Sequence, residues 1–217
     1  MDMSIFIIKL IAVIIIGYLL GSLNTSIIVG RFYGTDIRKH GSGNAGMTNT
    51  LRTLGKAAAV MVIIGDILKG VLSFIIGQIL ISTIPEAISM DLSGIGGMAA
   101  GISAIAGHNW PVYFNFKGGK GILTSFSVVM MMDWMLGLIL LAIFAVIVIS
   151  TKYVSLGSII ASAAFPIAAF IKGNGPIFVM FSAILAVLAV ARHSANIKRL
   201  LRGTEPKLGQ KIKKMDS

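Results

Sequence analysis

The sequence predicts an all-α polytopic membrane protein with seven transmembrane helices, some of them short, the N-terminus outside and the C-terminus cytoplasmic. Three observations carry this. Of 217 residues, 56% are hydrophobic and only 12% charged, about half the ~25% charged share of soluble domains. Apolar runs recur at 4–27, 57–84, 90–107, 122–150, 154–171 and 176–191, most of them near the ~20 residues that a bilayer crossing requires. Basic residues collect in the segments between certain runs, as they do in cytoplasmic loops.

The first run, Ile5 to Leu23, is followed by no small-residue cleavage signature and reads as a retained helix. Segment 28–56 carries Arg31, Arg38, Lys39, Arg52 and Lys56 and is assigned to the cytoplasm. Glu86 and Asp91, without a basic neighbour, mark the opposite side after the second run, so the 108–121 loop returns to the cytoplasm. The fourth run is long for one span, and Asp133-Trp134 interrupts it. A single crossing there would leave Arg192, Lys198, Arg199, Arg202, Lys207, Lys211, Lys213 and Lys214 outside. A hairpin turning at Asp133 keeps this basic tail inside; a re-entrant pair over 122–150 is the variant with the same sidedness. The chain reads as one domain, 1–217, with three cytoplasmic segments on one face: 28–56, 108–121 and 192–209.

Some chemistry is excluded at once. The net charge of +11 follows from the basic loops and predicts no nucleic-acid partner. There is no cysteine, hence no disulfide, Cys-zinc site or thiol nucleophile. Eight acidic residues, several on the outer side, form no carboxylate cluster for magnesium, which argues against a metal-dependent phosphotransferase. No histidine has an acid five residues on, so the His-x4-Asp dyad of acyl-CoA acyltransferases is missing. No metal and no cofactor are expected.

The first cytoplasmic segment contains Gly41-Ser42-Gly43-Asn44-Ala45-Gly46. So many glycines oppose an ordinary helix interior. A helix starting near Thr48 aims its N-terminus outward, and Ser42, Asn44, Thr48 and Asn49 offer polar groups beside it. Arg52, one turn on, supplies a fork suited to phosphate. The second segment holds Phe-Lys-Gly-Gly-Lys-Gly at 116–121. It fails the nucleotide-binding P-loop pattern, which needs an earlier glycine and a Ser or Thr after the lysine. Gly118, Gly119 and Gly121 instead suit a small anion nest flanked by Lys117 and Lys120; a plain basic interfacial turn is the alternative. His108, with Asn109 and Pro111, is expected to shape the start of this loop. The third segment places His193 and Asn196 three apart on one helix face, with Arg199 continuing the row. Asp66 and Lys69 lie inside an apolar run at i and i+3 and are expected to pair, in support of structure or facing substrate.

These residues carry a family resemblance. DIRKHGSGNAGMTNTLR, GHNWPVYFNFKGGKG and RHSANIKRLLRGTE, in that order and over nearly the whole chain, resemble the motifs of the bacterial acyl-phosphate:glycerol-3-phosphate acyltransferases. The resemblance implies a seven-helix membrane enzyme of the bacterial inner (plasma) membrane with its active site on the cytoplasmic face. It implies acyl transfer from acyl phosphate to the 1-hydroxyl of glycerol 3-phosphate, the first step of phospholipid synthesis. By the same resemblance Ser42, Arg52, His193 and Asn196 are catalytic, Gly118, Gly119 and Gly121 bind substrate phosphate with Lys117 or Lys120 as the cation, and Glu205 holds structure. The residues themselves add Asn44, Thr48 and Asn49 as phosphate-binding candidates and Asp66 and Lys69 as a supporting or substrate-facing pair. The two substrates and membrane lipids are the expected partners, with no obligate protein partner. A transporter of small phosphorylated anions is the competing class, but the sequence shows none of the internal repeat common in transporters.

Overall fold

The structure, a computed structural model, describes residues 3–84 and 94–210. Its described elements are ten α-helices and two single 3-10 turns, with no strand among the described residues. Glu86 and Asp91, used above to mark the outer side, lie outside the described residues.

Helix α1 (Met3–Ser22) is followed after two residues by α2 (Thr25–Phe32). The span expected over 4–27 lies in one apolar run, Met3–Phe32, made of two successive helices, and the segment expected to be polar from residue 28 opens helically. Asn24 is the cause: its side chain accepts from the Ile27 N–H at 3.2 Å and caps the new helix. Helix α3 (Met47–Leu54) begins one residue before the expected start at Thr48, directly after Gly46. Helix α4 (Lys56–Ser82) and α5 (Ile95–Asn109) follow.

The long apolar run 122–150 breaks where the sequence suggested. Helix α6 (Ile122–Met132) and α7 (Trp134–Thr151) are separated by Asp133, which caps α7 by accepting from the Leu136 N–H at 3.1 Å. The chain folds back there: a Cβ on Gly137 would lie 3.4 Å from the Met130 Cα. In a continuous helix seven residues span about 10 Å. Helices α8 (Val154–Ile171), α9 (Pro176–Arg192) and α10 (Ser194–Leu201) complete the bundle, with α10 bent 59° from α9 at His193.

Contacts at helix termini sort the bundle into two ends. Lys9 near the start of α1 donates to Thr83 after the end of α4 at 2.6 Å, and Lys172 after α8 pairs with Asp133. The three motif segments gather at the other end. Four helical runs, or five with the bent pair, are long and apolar enough to cross a membrane.

Small residues let the inner helices approach closely. A Cβ on Gly21 of α1 would overlap the Ala104 backbone of α5, and Gly77 of α4 and Gly96 of α5 abut each other. Such seams suit helices in lipid, where close van der Waals contact replaces the hydrophobic drive. A second apolar core joins Ile105, Val128, Leu136, Phe165, Phe181 and Leu185 from α5 through α9. Large aliphatic side chains such as Ile8, Ile149 and Ile171 point outward, 66%, 70% and 78% exposed. On helices whose interior backbone groups bond to one another, that surface is matched to hydrocarbon.

Candidate active site

The three motif segments meet around one cavity of about 290 Å³, polar at the loop end and apolar below. Each segment is held to another by hydrogen bonds that the sequence spacing does not announce.

The first segment is shaped by Asn49. Its Oδ1 accepts from the Ser42 N–H at 2.8 Å, and its Nδ2 donates to the carbonyls of Ile37 and His40 at 3.1 and 3.0 Å. Asn49 is buried, and its amide is bonded to the loop. The amide curls the loop so that Ser42, Asn44 and Thr48, with Asn49 itself, border the cavity. Arg52 also borders the cavity, where its Nη2 donates to the Pro206 carbonyl at 3.0 Å and its buried Nε has no protein partner among the described residues.

The second segment is tied to the first by Arg38. Its guanidinium donates to the carbonyls of Phe114 and Lys117 at 3.0 and 3.2 Å and pairs with Asp36 at 2.8 Å. The Arg38 hydrogen bond lowers the Asp36 carboxyl to about 2. Of the two candidate lysines, Lys120 borders the cavity while Lys117 is exposed outside it. Gly118 and Gly119 do not line the cavity. A Cβ at 118 would overlap the His108 carbonyl, and one at 119 would overlap the His108 ring and the Ala45 carbonyl. The Gly119 N–H is already donated to the His108 carbonyl at 3.1 Å, and its carbonyl accepts from Arg192 at 2.7 Å. These two glycines serve close packing rather than an open anion nest. Gly121, with φ +73°, borders the cavity and starts α6 in a conformation that glycine favours.

The third segment supplies the densest network. Glu205 Oε1 accepts from Asn196 Nδ2 at 2.7 Å and from Ser155 Oγ at 2.6 Å, and Oε2 accepts from Arg199 Nε at 2.7 Å. Burial works to raise the Glu205 carboxyl, but the donors from Ser155, Asn196 and Arg199 outweigh it and the net shift is downward. With its amide N–H thus fixed, Asn196 presents Oδ1 to the Lys120 ammonium at 2.5 Å. Burial pushes Lys120 down to about 8; Glu205 opposes the shift, and Arg199, Arg192 and Arg52 add to it. His193, 2% exposed, donates from Nδ1 to the Ala189 carbonyl at 2.7 Å, which leaves Nε2 unprotonated in the neutral ring.

Arg52, Lys120 and Arg199 outnumber the carboxylates of Glu205 and Asp66 around the cavity and leave it net positive. Below the mouth Phe126, Phe144, Phe165 and Leu185 line an apolar extension. Asp66 and Lys69 form the expected ion pair at 2.9 Å, joined by His108, and Asp66 reaches the cavity wall. Ser155 was not singled out from the sequence. It lies two residues after the apparent break at Lys152-Tyr153, and its role depends on a partner 50 residues away.

A polar, cationic mouth above an apolar groove, built into a helical bundle, defines a membrane-embedded site for an anion that carries an apolar tail. The chain belongs to the glycerol-3-phosphate acyltransferase family: residues 11–203 match that family. It is 49% identical over 198 residues to the glycerol-3-phosphate acyltransferase of Thermoanaerobacter sp. (strain X514), covering 91% of this chain and 94% of that one. It is 44% identical over 208 residues to the enzyme of the same name from Clostridioides difficile (strain 630), covering 93% and 96%. Two crystal structures of PlsY, an integral membrane glycerol 3-phosphate acyltransferase, superpose with TM-scores of 0.81 and 0.79 at 33% identity. Each covers 92% of this chain; one is a glycerol 3-phosphate form and the other a lysophosphatidic acid form. The protein is thus a multi-pass membrane acyltransferase.

Proposed function

We propose that the protein transfers a fatty acyl group from acyl phosphate to the 1-hydroxyl of glycerol 3-phosphate, giving 1-acyl-glycerol 3-phosphate and inorganic phosphate. The observation that carries this reading is the cavity itself, with a mouth rich in cationic donors and a groove lined by phenylalanines and leucine in one continuous space.

Acyl phosphate is already activated, so no strong nucleophile is required. The substrate hydroxyl attacks the acyl carbon directly. A bond forms between that oxygen and carbon, and the bond from the carbon to the phosphate oxygen breaks. The hydroxyl proton leaves to the departing phosphate or to the unprotonated Nε2 of His193. Arg52 and Lys120 hold two anions close together, a positioning and charge task. Ser42 and Asn196 orient the hydroxyl or the acyl carbonyl, and Glu205 with Ser155 keeps Asn196 in place. The fatty chain lies in the apolar groove at bilayer depth. No cofactor and no protein partner enter this scheme.

On the same reading the site faces the cytoplasm of a bacterial plasma membrane, with seven crossings and the N-terminus outside. The basic residues of the motif segments support that sidedness. The chain works as a single domain whose basic mouth draws anionic substrates from solution. Purified protein given acyl phosphate and glycerol 3-phosphate is expected to release phosphate only when both are present. Phosphate release independent of glycerol 3-phosphate, or equal turnover with acyl-CoA as donor, overturns the reading.

A further inference from the structure

Asp66, Lys69 and His108 form a buried cluster beneath the glycine-rich loop, 2%, 5% and 2% exposed. The Lys69 ammonium lies 2.9 Å from Asp66 Oδ1, 3.3 Å from the Leu23 carbonyl and 2.7 Å from His108 Nδ1. An ammonium has three donors and no acceptor; here two of its contacts are hydrogen bonds, to the Leu23 carbonyl and His108 Nδ1, and Asp66 holds its charge at ion-pair distance. His108 Nδ1 must therefore receive a proton from Lys69 and carry none of its own. A neutral imidazole in that state has its hydrogen on Nε2. Asp66 fixes Lys69, and Lys69 fixes the tautomer.

The Nε2–H that results has no hydrogen-bond acceptor among the described residues. His108 and Asp66 both border the cavity, whereas Lys69 lies behind them. The Nε2 edge of the ring lies where a side chain at position 119 would begin: a Cβ there would overlap Nε2. Glycine at 119 lets the loop backbone pack against that edge, and the Ala45 carbonyl lies on the same side without accepting the ring proton. His108 Nε2 is not among the sealed, unpaired polar atoms of the described residues, and His108 lines the cavity, where a bound group can accept from it. The nearest place for such a group is the cavity mouth, beside Lys120.

We propose that His108 is a further substrate-binding residue, whose Nε2–H donates to a phosphate oxygen of a substrate in the cavity, with Lys69 and Asp66 as positioning residues that fix its tautomer. This rests on the acyltransferase reading for the identity of the anion. The phosphate belongs to glycerol 3-phosphate or to the acyl phosphate, and kinetics separate the two.

The test uses the full-length protein in detergent or lipid, with 15N-labelled histidine. The chain has three histidines, and His108→Gln identifies the resonances of His108 by their loss. The expected spectrum shows a neutral ring protonated at Nε2, and inorganic phosphate shifts that N–H. Lys69→Met is expected to release the tautomer. His108→Phe, which keeps a ring and loses the donor, is expected to raise KM at least tenfold for one substrate. His108→Gln, which keeps an N–H near Nε2, is expected to recover most of that loss. A rise for glycerol 3-phosphate alone assigns the bond to its phosphate, and a rise for acyl phosphate alone assigns it to the donor. A ring protonated at Nδ1, no response to phosphate, or equal KM values in the wild type and His108→Phe overturns the proposal. If the wild type transfers no acyl group, the acyltransferase reading falls, while the spectrum and its phosphate titration still decide the role of His108 as an anion donor.

Discussion

Lys120 and Asn196 meet at 2.5 Å although 76 residues separate them. This contact joins the glycine-rich loop to α10 and sets an ammonium at the cavity mouth. Its charge is weakly held, since burial lowers Lys120 to about 8. As pH rises through about 8 the free enzyme loses that cation, so kcat/KM for the anionic substrates should fall above this pH. A bound dianion favours the charged lysine, so kcat should hold to higher pH. Lys120→Arg should move the alkaline limb of kcat/KM upward, because a guanidinium does not deprotonate in this range. Steady-state kinetics between pH 6 and 10 check both.

Ser42→Ala should abolish turnover while the loop survives, because Asn49 bonds the Ser42 backbone N–H and not its hydroxyl. Arg52→Lys keeps the charge but loses the fork. Charge-assisted hydrogen bonds are worth about 1.5–3 kcal/mol, so kcat/KM should fall by about ten- to a hundredfold. Unchanged activity in both variants rules out this site assignment.

Gly119→Ala should inactivate the enzyme. The new methyl would meet the His108 ring and the Ala45 carbonyl, and the loop carrying Lys120 would have to move. Loss of activity with retained membrane insertion and a cooperative melt is the expected result. Activity near wild type shows that the loop can shift without harm.

Asp133→Ala acts at the other end of the bundle. It removes the cap of α7 and the ion pair with Lys172, and a lost cap costs about 1 kcal/mol. Tm should fall while kcat/KM stays within about twofold. Burial raises the Asp133 carboxyl, but the Lys172 hydrogen bond and the Leu136 N–H outweigh it, so the net shift is downward. Its contribution to stability is present above the unfolded value near ~3.9 and is lost as pH falls below that. Melting curves at pH 3 and 7 should therefore differ less in the variant than in the wild type.

Phe165 lines the apolar groove and is braced by ring contacts with Phe178 and Phe181 at 5.9 and 6.3 Å. From Ser155 to Phe165 along α8 is about 15 Å, the depth of one leaflet of a ~30 Å hydrocarbon core. Phe165→Ala should therefore shift preference toward longer acyl chains. Competition between acyl phosphates of different length measures it, and an unchanged product ratio excludes Phe165 as the floor.

The features that the sequence revealed are those written locally. An acid inside an apolar run marked the turn at Asp133, a glycine-rich stretch marked the start of α3, and i, i+3 spacing paired Asp66 with Lys69. The break inside the first span was hidden, because Asn24 makes it by capping α2 within a hydrophobic stretch. Choosing Lys120 over Lys117 was impossible from spacing, since both sit in one loop and only its fold against α10 separates them. The amide of Asn49 looked available for phosphate because its acceptors, the carbonyls of Ile37 and His40, carry no mark in the side-chain sequence. Ser155 escaped for a related reason. It acquires its role from a partner 50 residues distant, and no local pattern encodes such a pairing.

Helix α6 has 11 residues, a rise of about 16 Å against a hydrocarbon layer of ~30 Å. Its inner face is covered by α4, where Gly70 rests on Ser127 and the Thr124 carbonyl, but Met131 is 39% exposed. Beside that outer face the hydrocarbon layer must thin, or the helix must slide toward the loop end. The glycine-rich loop, attached directly to α6, therefore stands at a depth set by a helix about half as long as the hydrocarbon layer is thick.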